Sequence, residues 1–264
     1  MYDIISGILK DKEGILVFKP FGLWHILYLI MIFVGIILVI FLMRNKDEKV
    51  KKRTINITIN CAFILYILDF FLMPFSYGYI DVDKLPFHIC TLMGLMAFVG
   101  KNNKFFSKYQ KEFTILGLIG ALMYIAYPSG VADGKVFAFS YRIVQTMLYH
   151  GLVVAHGIFA MAFGDIKIEW KKIYKEFIVV SIIAFIAVVA NSIYSGSIGE
   201  FNWFFVSADP FGLIPENIAP YIMPFVMIVV IFTMNVIIYS LYFTFKYISE
   251  KEVFKKSKLS LRRN

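Results

Sequence analysis

The chain has 264 residues, 59% hydrophobic and 18% aromatic, with a net charge of +9 and a positive mean hydropathy. Soluble globular domains average about 45–50% apolar residues, so the composition excludes an ordinary soluble enzyme and points to an all-α polytopic membrane protein. The charge could suggest nucleic acid, but most of the basic residues fall in four segments that follow apolar runs on one side, and no nucleic-acid partner is expected.

Residues 1–23 carry Lys10, Asp11, Lys12 and Glu13 without a compact apolar core, so no cleavable leader is expected. Seven apolar spans follow, at about 24–43, 54–74, 85–100, 112–128, 142–163, 177–194 and 217–245, several near the ~18–20 residues a crossing needs. They read as one integral membrane domain over 1–264, ending in a basic tail at 246–264. Segments 44–53, 101–111, 164–176 and 246–264 hold six, four, four and seven Lys or Arg, 21 of the chain's 27. All four follow odd-numbered spans, so this side should be cytoplasmic, with the N-terminus outside and the C-terminus inside.

Taken in order, the polar residues of the spans concentrate in the outer half. Span 1 opens with Trp24 and His25, and span 2 reaches Asp69 about one turn below its outer end. Cys61, nearer the inner face, and Cys90, nearer the outer, should be too far apart for a disulfide and stay free thiols. Span 4 ends with Tyr124, Tyr127 and Pro128. In span 5, Arg142, Gln145, Thr146, Tyr149, His150 and His156 fall in one arc of roughly 140°. This predicts a polar stripe towards a cavity and an apolar back towards lipid. Span 6 ends with Asn191 and Tyr194, and a loop containing Trp203, Phe204 and Phe205 should pack over the bundle or dip into the interface. Pro220 and Pro224 should kink span 7 or make its first turns interfacial.

Span 3 opens with Leu85-Pro86-Phe87-His88-Ile89-Cys90. Pro86 is expected in the first helical turn, where a missing N–H costs little. Residues two apart on a helix diverge by about 200°, so His88 cannot serve Cys90, and a base must come from another helix. His150 is the candidate: Cys90 lies roughly 7 Å and His150 roughly 12 Å into its span, a difference that helix tilt can close. A thiol is a nucleophile as its thiolate, whose formation a neighbouring imidazole can assist by taking the proton, and a third group can orient that imidazole. Asp69, His88, Asn191 or a tyrosine could be that group. Each residue also has a packing reading: Cys90 as a small hydrophobe, His88 as a helix-start residue bonded to a loop carbonyl, His156 as a core histidine and Asp69 as the partner of Arg142. No ligand spacing supports a metal site.

The segments LPFHIC at the start of span 3, YRIVQTMLYHGLVV in span 5, NSIYSG and FNWFF after span 6 and APYIMP opening span 7 resemble the YwaF-like family of bacterial integral membrane proteins, which includes eukaryotic transmembrane protein 164. The resemblance covers roughly residues 20–245. It implies a cysteine-dependent phospholipid acyltransferase working through a thioester, with Cys90 as acyl acceptor, His150 as general base and His88 in support. It also implies a multi-pass protein of a bacterial plasma membrane.

The expected function is therefore a lipid acyltransferase or transacylase at the outer-leaflet level, with membrane phospholipids as partners and no cofactor. Asn191, Tyr124 or Arg142 would bind the oxyanion or the phosphate, and Asp69, Gln145 and His25 complete the supporting set. The alternative is a non-enzymatic binding protein or transporter with an outward-facing polar pocket, in which Cys90 merely packs.

Overall fold

A computed structural model of the chain describes residues 16–76, 84–128, 131, 136–194, 202–210 and 212–261. The lysine- and acid-bearing stretch 10–13 and residues 195–201 of the aromatic loop lie outside these, as does the side chain of Tyr194. Among the described residues there is no β-strand, only an isolated antiparallel bridge between Val17 and Phe137. Seven helices of 14 residues or more are described: α1 Leu23–Met43, α2 Glu48–Ser76, α3 Ile89–Asn102, α4 Gln110–Ala126, α5 Tyr141–Ala162, α6 Tyr174–Tyr194 and α7 Ala219–Leu261.

Five of them, α1, α2, α5, α6 and α7, are long and apolar enough to cross a membrane. At 14 and 17 residues, α3 and α4 fall short of the ~20 that a crossing needs. Span 3 was expected at 85–100, but its helix starts at Ile89, with His88 as an extended N-cap and Pro86 in the turn before it. The α2 helix begins at Glu48, so Lys49 to Arg53 are helical rather than loop. Likewise α7 runs past 245 into the basic tail. Pro220 stands in the first turn of α7, where no N–H is required, and Pro224 is accommodated inside the helix.

The ends of α5 follow from local chemistry. Ser140 caps its N-terminus, its Oγ accepting from the N–H of Ile143 at 3.5 Å. Gly164, at φ 74°, closes the other end. The N–H of Asp165 donates to the carbonyl of Ala160 at 3.0 Å and that of Gly164 to Met161 at 3.3 Å, the paired bonds of a Schellman motif.

The most extensive packing joins α3 to α4, α4 to α5 and α2 to α5; α6 pairs with α7, and α1 lies against α5. The expected apolar back of α5 is a lipid-type face only in part. Val144 and Leu148, opposite the polar stripe, are exposed, whereas Ile143, Met147, Val154 and Phe159 beside them are buried against its neighbours. An amphipathic pattern cannot distinguish lipid from a second layer of apolar helices, and here most of the layer is protein.

At the opposite end from the bridge, α4, α6 and α7 are tied by buried ions. Lys111 Nζ lies 2.9 Å from Glu176 Oε1 and 3.5 Å from Glu112 Oε1, and the hydroxyl of Tyr239 donates to Glu176 at 2.8 Å. Glu112 and Glu176 are almost fully buried. Removing one member of such a group leaves an uncompensated buried charge, which typically costs about 3–5 kcal/mol. Lys111→Ala should therefore destabilise the detergent-solubilised protein by about that amount, and Lys111→Ala/Glu176→Gln by clearly less. Thermal unfolding of the three proteins measures the difference.

Candidate functional site

The depth at which α3 begins positions the site. His156 on α5 sits among α2 and α4: its Nδ1 donates to the carbonyl of Ile55 at 3.3 Å, and its Nε2 is 3.5 Å from Thr114 Oγ1. Six residues further along α5, about 9 Å, is His150. The same six-residue step on α4 separates Thr114 from Gly120. A Cβ on Gly120 would come 2.6 Å from Ile89 Cγ2 and 2.9 Å from the backbone nitrogen of Cys90. Only a glycine lets the first turn of α3 lie so close, and this contact sets Cys90 level with His150. The long helix α5 continues nine residues past His150, about 13 Å, to Tyr141. The short helix α3 thus starts inside the bundle, whereas α4 runs on to Ala126, beside His25 in the first turn of α1.

In that position His150 Nε2 lies 3.4 Å from Cys90 Sγ. His150 Nδ1 is 2.8 Å from the carbonyl oxygen of Thr146. A carbonyl can only accept, so in the neutral ring Nδ1 carries the proton and Nε2 offers its lone pair to the thiol. The ring is clamped between two tyrosines. Tyr124 stacks on it at 3.9 Å and 6°, and Tyr149 meets it edge-on at 5.0 Å and 86°. The Tyr149 hydroxyl donates to the carbonyl of Cys90 at 3.4 Å. Cys90 is the second residue of α3, where first-turn N–H groups have no carbonyl one turn back to receive them. His88, the N-cap residue, makes no side-chain cap bond.

Cys90 and His150 line a cavity of about 600 Å³. One wall, from α2 and α5, carries Asp69, Arg142, Gln145 and Thr146, with Lys84 from the segment leading to α3. Asp69 accepts from Lys84 Nζ at 2.7 Å and from the Tyr141 hydroxyl at 3.1 Å; these, rather than Arg142, are its partners. Met223, Val226, Met227 and Val230 of α7 add an apolar part to the lining. Phe204 and Phe205 also line the space.

The structure thus groups Cys90, His150, Tyr124, Gln145, Arg142, Asp69 and His88 around one cavity. Asn191 and His25 are elsewhere. Asn191 is buried and holds the aromatic loop: its amide donates to the Trp203 carbonyl at 3.1 Å and to Ser207 Oγ at 2.8 Å, and its oxygen accepts from the Trp203 N–H at 3.1 Å. His25 joins α1 to α4, its Nδ1 accepting from the N–H of Phe21 at 2.9 Å and its Nε2 donating to the carbonyl of Ile125 at 2.7 Å. The four histidines therefore have separate partners, and no group of three or more His, Cys, Asp or Glu among the described residues is arranged to hold a metal ion.

Sequence reasoning missed the orienting group of His150, which is the Thr146 backbone carbonyl. It also passed over Lys84 and Gly120. The one available signal was the four-residue spacing of Thr146 and His150, which places a helical carbonyl under the ring. Both cysteines are free, Cys61 exposed and Cys90 buried.

Because Asn191 makes three bonds to one loop in a buried place, Asn191→Ala should cost about 1–3 kcal/mol. It should also open residues 202–208 to proteolysis; thermal unfolding and limited proteolysis check both effects.

No curated protein and no solved structure matches the chain. A family model matches residues 20–245, the stretch that contains all seven helix starts and every residue of the cavity wall. With its five helices of membrane-crossing length and composition, the chain is a multi-pass membrane protein that belongs to the TMEM164 family.

Proposed function

We propose that the protein is a membrane-embedded acyltransferase that carries an acyl group on Cys90, with His150 as its general base. The observation that supports this reading is the 3.4 Å approach of His150 Nε2 to Cys90 Sγ at a helix N-terminus, in the wall of a cavity with both polar and apolar lining. A packing cysteine needs none of these features together.

In the proposed reaction a phospholipid enters with its phosphate on the Arg142 and Lys84 side and its hydrocarbon on the α7 side. The Cys90 sulfur attacks the ester carbonyl carbon while its proton passes to His150 Nε2. The oxyanion is met by the first-turn N–H groups of α3, dipoles already aimed at the developing charge. Collapse breaks the ester C–O bond, and His150 returns the proton to the departing lysolipid oxygen. A hydroxyl of a second lipid then gives its proton to His150 and attacks the thioester, and the released thiolate recovers that proton. The Nδ1–H bond to Thr146 holds the ring in the tautomer that both steps require. Gln145 and Tyr124 shape the space around the ester.

For topology we infer seven crossings, with the N-terminus outside and the basic segments cytoplasmic, in a bacterial plasma membrane. The charge asymmetry supports this orientation. In it, α3 and α4 cross as a closely packed pair of short helices, and the cavity opens towards the outer leaflet.

Purified protein supplied with labelled phospholipid should transfer its acyl chain to a lysolipid. Cys90→Ala should abolish transfer, and His150→Asn should lower its rate by about 10²–10⁴-fold, with both variants folded. Undiminished transfer by Cys90→Ala would refute the mechanism. A folded wild-type protein that binds lipid without any transfer would favour a binding protein instead.

A further inference from the structure

Phe204 and Phe205 are consecutive residues with φ of 61° and 53°. Non-glycine residues seldom adopt this left-handed region, and two adjacent aromatic ones persist there only when their surroundings over-determine the backbone. The surroundings do so here. The Trp203 N–H is taken by Asn191 Oδ1, the Phe204 N–H by His88 Nδ1 at 3.3 Å and the Phe205 N–H by the carbonyl of Asn202 at 3.0 Å. Asn202 Oδ1 in turn accepts from the N–H groups of Ser207 and Ala208. The loop is thus fixed from both sides, by α6 through Asn191 and by the cap residue of α3 through His88.

This conformation places two phenyl rings in the wall of the Cys90 cavity. Phe204 is almost fully buried, and the Phe205 ring lies 5.6 Å from that of His88, two residues from the thiol. The rings belong to the loop joining α6 to α7, at the end of the bundle where α3 starts.

We propose that Phe204 and Phe205 are specificity-determining residues that keep water from the acyl-enzyme, so that its thioester is transferred to a lipid rather than hydrolysed. The inference rests on the acyl-enzyme reading above. Water and a lipid hydroxyl present the same chemistry to His150: each gives up a proton, attacks the thioester carbon and displaces the Cys90 thiolate, which is then reprotonated. Nothing in the Cys90–His150 pair can distinguish them. Access can: Phe204 and Phe205 line the cavity, the Phe205 ring beside His88, and apolar rings there leave water little room around the sulfur while a lipid chain can pack against them.

The test measures free fatty acid against transferred acyl chain from one labelled phospholipid. In Phe205→Ala the ratio of hydrolysis to transfer should rise roughly tenfold, the discrimination one apolar contact commonly provides. Phe205→Leu, which keeps apolar bulk, should stay near wild type. Phe205→Gly removes the ring and relieves the backbone, so it should resemble Phe205→Ala if the ring matters and wild type if only the loop conformation does. Independently of any turnover, a charged, water-soluble thiol reagent should modify Cys90 faster in Phe205→Ala. Normal acylation of Cys90 with an unchanged ratio in Phe204→Ala and Phe205→Ala, or a Phe205→Gly protein that behaves as wild type, would overturn this inference alone. Absence of any acylation of wild-type Cys90 would overturn the acyl-enzyme reading and this inference with it.

Discussion

The approach of α3 to α4 at Gly120 is the contact on which the site depends. Any side chain there would push the first turn of α3 away, and with it Cys90. Because α3 starts at that contact and not at the outer end of the bundle, three things coincide. The thiol is level with His150, it lies at a helix N-terminus, and Lys84 and His88 from the segment before the helix line the cavity. A longer α3 would have brought Cys90 up a featureless helix side, with its neighbouring N–H groups already bonded.

Among the described residues, two polar systems hold the buried carboxylates Asp69, Glu112 and Glu176. At the cavity end, Asp69, Lys84 and Tyr141 join α2 to the segment before α3 and to α5. At the other end, Lys111, Glu112, Glu176 and Tyr239 join α4 to α6 and α7. Each is costly to bury unless its members satisfy one another, so each constrains the register of the helices that carry it. Between them the interior is packed apolar side chains around α4, most of whose residues are buried. The cavity is thus framed by elements whose relative heights are set at both ends. This is what a site with a 3.4 Å contact between two helices requires.

Much of this was legible in the chain. The helical class, the order of the seven helices and the pairing of Cys90 with His150 follow from apolar runs and from the 100° step of a helix. Helix ends were less legible. Propensity allowed α3 to start at Pro86, but its start is decided by contact with Gly120, and no local pattern records a tertiary contact. Lys111 read as one of many loop cations, yet it is the first-turn residue of a buried helix and the counter-ion of two carboxylates. Asn191 and His25 read as site residues because of their depth. Both are bound to backbone groups of neighbouring segments, which have no side-chain signature. The Thr146 carbonyl that orients His150 escaped for the same reason.

The central claim is that Cys90 carries the acyl group. Its most direct test is the intact mass of purified wild-type protein after brief exposure to a single defined phospholipid, followed by peptide mapping. The account predicts one added acyl mass, lost on treatment with hydroxylamine and located on the peptide containing Cys90. An unmodified Cys90 under conditions where the phospholipid is consumed, or an acyl group found on another residue, would contradict it.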